Sequence, residues 1–133
     1  MKVRTDFVTN SSSSSFLIAY LPIEEDLHYA KLYQSIIDYI IKDTSDFDTK
    51  KGVLLCSAKD YAEFLMESNY TDSLANLFKF EEDLEDIYNR TCSYLEQGYN
   101  VIHKQIGYDN GALSGLIKTV VNSVEDFVII EGD

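Results

Sequence analysis

The chain has 133 residues, a formal net charge of −12 and no tryptophan. That length suits one domain, able to bury a core without disulfide or metal, and the acidic surface disfavours phosphate backbones and anionic lipid heads as partners. No apolar run approaches the ~20 residues that span a bilayer, so neither nucleic acid nor membrane is expected as a partner.

The N-terminal stretch is the least ordinary part. Lys2 and Arg4 are followed by Asp6 and a polar run, which interrupts the apolar centre of any signal peptide. Val3, Thr5 and Phe7 alternate with Arg4, Asp6 and Val8, the period of a short extra strand. Asn10 then leads into Ser11–Ser15, which abuts Phe16. Residues 1–15 read as a serine-rich signature segment and 16–133 as an α/β domain. Ordering a serine backbone costs roughly 1–2 kcal/mol per residue. The tract is therefore expected to be tethered only where Phe7 and Val8 reach the core.

Phe16–Leu21 is apolar on both alternating faces, as in a covered central strand. Pro22 closes it, and Glu24, Glu25 and Asp26 suit a helix start. That helix runs to about Lys42, with Tyr29, Tyr33, Ile36, Ile37, Ile40 and Ile41 toward the sheet. A polar loop, 43–52, precedes a short strand at Val53–Cys56. Ser57 or Asp60 caps the next helix, which buries Tyr61, Phe64 and Leu65. Ser68–Asn69 breaks it. A longer helical region follows to about Gln97, kinked near Phe78 and closed by Gly98 in a left-handed cap. Its acidic cluster, Glu81, Glu82, Asp83, Glu85 and Asp86, reads as a solvated face.

Tyr99–Ile106 is a third strand and Gly107–Gly111 a turn. A helix from Ala112 to about Val121 presents Leu113, Leu116, Ile117 and Val120, and Phe127–Ile130 is a last strand. The alternation predicts a single α/β domain with an about four-stranded, mainly parallel or mixed sheet and flanking helices.

A parallel sheet would gather the loops after its strands at one end. Those loops bring Glu24, Cys56, Ser57, Lys59, Asp60, Tyr108, Asp109 and Asn110, a set suited to a small polar ligand. Ser57, Asp60 and Asp109 also serve simply as caps and turn formers. The two histidines, His28 and His103, fall on a helix and in a strand and read as structural. Cys56 and Cys92 are distant and form no CxxC pair, which predicts reduced thiols and a cytoplasmic protein. No catalytic residue, metal or cofactor is expected. The Tyr29, Tyr33 and Ile37 stripe suits the sheet or a second copy, so a homo-oligomer stays open.

The tract itself admits three functional readings: an anion cradle, a modification target and a recognition handle. In a parallel sheet it lies at the amino end of its strand, away from the ligand end, which weighs against the cradle. Residues Met1 to Phe16 resemble an N-terminal signature of the form MKxRxxFVTNSSSSSF, borne by small, otherwise diverse bacterial proteins of uncharacterised activity. The resemblance implies a reused element in which Phe7, Asn10, Ser11, Ser12, Ser13, Ser14, Ser15 and Phe16 serve recognition or modification. The expected function is that of a non-enzymatic cytosolic protein acting through a protein partner. The alternatives are a small polar-ligand-binding domain or enzyme, and a substrate of serine modification.

Overall fold

The computed structural model describes residues 13–22 and 28–132. Phe7, Asn10, Ser11, Ser12 and Glu24 lie outside the described residues, as do the side chains of Ser13, His28 and Tyr29.

Strand β1 (Ser13–Tyr20) starts inside the serine tract, three residues before the expected boundary at Phe16. Ser13, Ser14 and Ser15 pair with Gly107, Ile106 and Gln105 of β3 (Asn100–Gly107). The ladder supplies their backbone partners, which offsets the ordering cost without much side-chain burial. From Phe16 to Tyr20 every side chain is buried, as the two apolar faces require.

With β2 (Val53–Leu55) and β4 (Phe127–Glu131) the sheet has the order β2-β3-β1-β4. Every neighbouring pair is antiparallel. The α/β class holds, but the mainly parallel or mixed sheet does not. The connections explain why. Helix α1 (His28–Lys42) links β1 to β2, and α5 (Gly111–Ser123) links β3 to β4. Each helix joins two strands that run the same way, but a strand of the other unit lies between them. The alternation of strands and helices dictates direction, not adjacency. The result is the split β-α-β pattern, with α2 (Ala58–Ser68), α3 (Leu74–Phe80) and α4 (Leu84–Glu96) inserted between β2 and β3. The long helical region expected over 71–97 is thus two helices, broken at Glu81, whose backbone is extended. Gly98 takes the expected left-handed conformation after α4, at φ 92°.

The molecule has three layers. Phe16, Ile18, Tyr20, Ile102 and Ile106 pack on Tyr33, Ile37 and Ile40 of α1 and on Leu113, Ile117 and Val120 of α5. On the other face Leu17, Ala19, Val101 and Ile130 pack on Tyr61 and Leu65 of α2, Leu77 of α3 and Leu95 of α4. Full burial of such a side chain contributes about 1.5–3 kcal/mol. Tyr33 and Ile37 are therefore spent on the sheet and do not offer a surface to a second copy. Among the described residues no helix is long and apolar enough to cross a membrane.

One buried cation ties the layers. Lys104 is fully buried, on the α1 side of β3. Its ammonium donates to the carbonyls of Ile41, at 3.1 Å, and Asp43, at 2.6 Å. These belong to the end of α1, where carbonyls lack helical partners and the dipole favours positive charge. Burial pulls the Lys104 pKa down, and the Asp43 carboxylate opposes that pull. The following loop is pinned beside it: the Thr49 hydroxyl accepts from the Gly107 N–H at 3.0 Å and donates to Asp46 at 2.8 Å.

Candidate functional site

The antiparallel sheet divides the expected ligand loops. Leu55 lies level with Val101 and Ala19, near the carboxyl end of β1, whereas Gly107 lies level with Ser13 at its amino end. Cys56, Ser57, Lys59 and Asp60 therefore sit at one end of the sheet and Tyr108, Asp109 and Asn110 at the other. They do not form one site. Ser57 and Asp60 act as a reciprocal cap of α2: the Ser57 hydroxyl accepts from the Asp60 N–H, and the Asp60 carboxylate accepts from the Cys56 N–H. Lys59 is exposed and faces Glu63 at 3.9 Å. Asn110 caps α5 by accepting from the Leu113 N–H, and its amide donates to Asp43 and Thr49. Tyr108 and Asp109 are exposed.

The same topology moves the serine tract. The amino end of β1 lies beside the carboxyl ends of β3 and β4, so the tract is not remote from the ligand end, as a parallel sheet would make it. There a cleft of about 390 Å³ opens between the sheet and the inserted helices, within the size range of small-molecule sites. Its floor is Ser15 and Leu17 of β1, His103 and Gln105 of β3, and Glu131 of β4. One wall is α2, through Tyr61, Phe64, Leu65, Ser68 and Asn69; the other is Glu81, Glu82, Asp83 and Leu84 at the α3–α4 junction, with Ile87 behind.

Local chain geometry aims these groups. On β3, Val101, His103 and Gln105 share the face toward α2, because strand side chains alternate. On β4 a register shift changes that alternation. Ile18 pairs with Ile129, but Leu17 pairs with Glu131, leaving Ile130 as an extra residue. An unbroken ladder would set Glu131 beside Phe16, on the α1 face. The bulge instead puts both Ile130 and Glu131 on the cleft face, the re-aiming for which such insertions are used. Gly132 then turns away at φ 128°, where a Cβ would stand 2.8 Å from the Phe16 ring.

The His103 ring packs on Phe64 at 4.7 Å between centroids. Tyr61 stacks on Tyr88 at 5.4 Å. Burial, opposed by a hydrogen bond with Thr91 and reinforced by the Glu131 charge, pushes the Tyr61 hydroxyl up to about 12. Burial also pushes the Cys92 thiol up, so it stays protonated at neutral pH. Among the described residues no three His, Cys, Asp or Glu side chains gather to hold a metal ion.

The sequence reads His103 as structural and Glu81, Glu82 and Asp83 as a solvated face; Glu82 and Asp83 are exposed, His103 packs on Phe64, and all four residues also line the cleft. The available signal is the polar pair His103 and Gln105 on the face of β3 that also carries Val101. It gains meaning only once Ser15 and Leu17 are known to lie opposite. The chain matches no protein-family model, no curated protein and no solved structure.

Proposed function

We propose that this chain is a binding domain whose cleft takes a small organic cation, an alkyl diamine or polyamine. The carrying observation is the lining, in which four carboxylates, Glu81, Glu82, Asp83 and Glu131, stand on two facing surfaces. Glu131 stands on the sheet floor and the other three on the opposite helical wall. Leu17, Phe64, Leu65 and Leu84 add apolar lining, which suits a methylene stem carrying an ammonium at each end. Ser15, Gln105 and Asn69 supply hydrogen-bond partners for the ammonium protons. The overall negative charge attracts such a ligand from a distance. Titration with putrescine and spermidine, followed by amide NMR, tests this reading. Shifts should centre on His103, Gln105 and Glu131, and glutarate should produce none of them.

A second reading keeps the signature as a recognition segment of a non-enzymatic cytosolic protein. It is supported by continuity: the tract runs straight into the central part of the sheet, and Ser15 lines the cleft. Partner recovery from cell extract with the full chain and with residues 1–12 removed is the test. Cutting at 12 spares β1. Equal recovery from both would end this reading. Serine modification is a third; Ser14 and Ser15 are half-buried in the ladder, which hinders a modifying enzyme at those two positions. An unmodified intact mass from the native cell would count against it.

A further inference from the structure

The charge of the chain is unevenly placed. Residues 1–12 hold +1, through Lys2 and Arg4 against Asp6, so of the net −12 the rest holds −13. The basic segment joins the body at Ser13, where β1 begins. Ser13, Ser15 and Leu17 share one face of β1, because strand side chains alternate, and Ser15 and Leu17 line the cleft. The chain therefore enters the sheet at the edge of the cleft. The two walls there are unlike. α2 contributes Phe64 and Leu65, whereas the α3–α4 junction contributes Glu81 and Asp83, two residues apart. Phe80, directly before Glu81, is 74% exposed.

We propose that the chain's own basic segment, residues 2–8, docks in this cleft, with Lys2 and Arg4 toward the acidic wall and Val3 and Phe7 toward the apolar one. The pattern of the segment matches the two walls. Held extended, it sets Lys2 and Arg4 on one face and Val3, Thr5 and Phe7 on the other. Asp6 shares the first face and leaves it at net +1. The length also matches. Thr9–Ser12 is rich in residues that form turns. A turn there returns the chain beside β1. Val8 to Arg4 then covers about 13 Å, as Ser13 to Leu17 does, so Arg4 comes level with Leu17 on the cleft floor. The tether does the rest. A short linker gives an effective concentration in the millimolar range, so exposed ion pairs of about 1 kcal/mol or less suffice for partial occupancy. Lys2 and Arg4 present a cation on a methylene stem, the chemistry proposed above for the ligand. The segment is thus an internal competitor of a diamine. The competition rests on the diamine reading; the docking does not.

The test is paramagnetic relaxation in the full chain, with a nitroxide on Thr5→Cys and with Cys56→Ser and Cys92→Ala. Amide signals of Ser15, Gln105, Glu82 and Asp83 should be lost, and those of α5, on the opposite face of the sheet, kept. K2E/R4E should restore the lost signals. K51E/K118E, which reverses as many charges elsewhere, should not. Should the cysteine replacements unfold the chain, the natural background serves: K2E/R4E should shift the same cleft amides, and K51E/K118E should leave them in place. Cleft signals that persist beside the label, or that are lost equally in K2E/R4E, would overturn the docking. So would loss that passes from a labelled copy to an unlabelled one, since the occupant is then a second chain. Spermidine should bind K2E/R4E about three- to tenfold more tightly than K51E/K118E. Spermidine that binds neither, with the relaxation pattern intact, sinks the diamine reading and leaves the docking supported. Spermidine that binds both alike, with cleft signals kept, sinks the docking and supports the diamine reading.

Discussion

Leu17 and Glu131 are cross-strand partners, although the ladder on one side of them would set Leu17 opposite Ile130. That one-residue slip places a carboxylate over the α2–α4 face instead of in the apolar layer against α1. A carboxylate in that layer would have to neutralise or find partners at a cost of several kcal/mol. The bulge spares the core that cost and supplies the cleft with a charged group on its floor.

Gly132 should be intolerant of any side chain. Its φ of 128° is outside the range that L residues favour, and a Cβ would fall 2.8 Å from Phe16 Cδ2 and 3.1 Å from its backbone. Gly132→Ala is expected to lower unfolding free energy by about 1–3 kcal/mol, measured by urea denaturation. Because the strain sits beside Glu131, the variant should also weaken diamine binding.

Lys104 is expected to stabilise the fold despite its burial. Lys104→Met keeps the stem but leaves the Ile41 and Asp43 carbonyls without this donor. A loss of about 1–3 kcal/mol is expected, again by urea denaturation. Hydrogen exchange should show the last turn of α1 opening more readily than its first.

Asn110 and Thr49 act as one unit. The Asn110 amide donates to Thr49 Oγ1 at 3.2 Å, and the same oxygen accepts from the Gly107 N–H. Asn110→Ala should cost about 1–2 kcal/mol through lost capping of α5. The double variant with Thr49→Val should cost less than the sum of the two single variants, because the partners share one network.

Asp46 links the same loop to pH. The Thr49 hydroxyl holds the Asp46 carboxyl below its ordinary 3.8, helped by the Thr49 and Asp48 N–H groups. A lowered carboxyl pKa means stability that is complete above the ordinary value and lost as pH falls through the lowered one. The stability gap between the wild type and Asp46→Asn should stay level above about pH 5 and shrink at lower pH. A gap that widens on acidification would contradict this assignment.

Much of the secondary structure was legible in the residues. Phe16–Tyr20, apolar on both faces, is a covered strand, and the α1 and α5 stripes face the sheet as their spacing indicates. Neighbour relations were not legible. β1–α1–β2 reads identically whether its strands touch or admit a third, and here β3 lies between them. That single difference split the expected ligand loops and brought Ser15, His103 and Glu131 together. Ser13–Ser15 was misread for another reason: serine side chains carry little burial signal, whereas a ladder needs only backbone.

The most direct measurement of the central claim is calorimetric titration of spermidine into the wild type, Glu131→Gln and Glu82→Gln/Asp83→Asn. Binding to the wild type that weakens in both variants, weakens further with added salt and is not shared by glutarate is the predicted result. Spermidine binding that is unchanged by the loss of Glu131, or no binding at all, would contradict it.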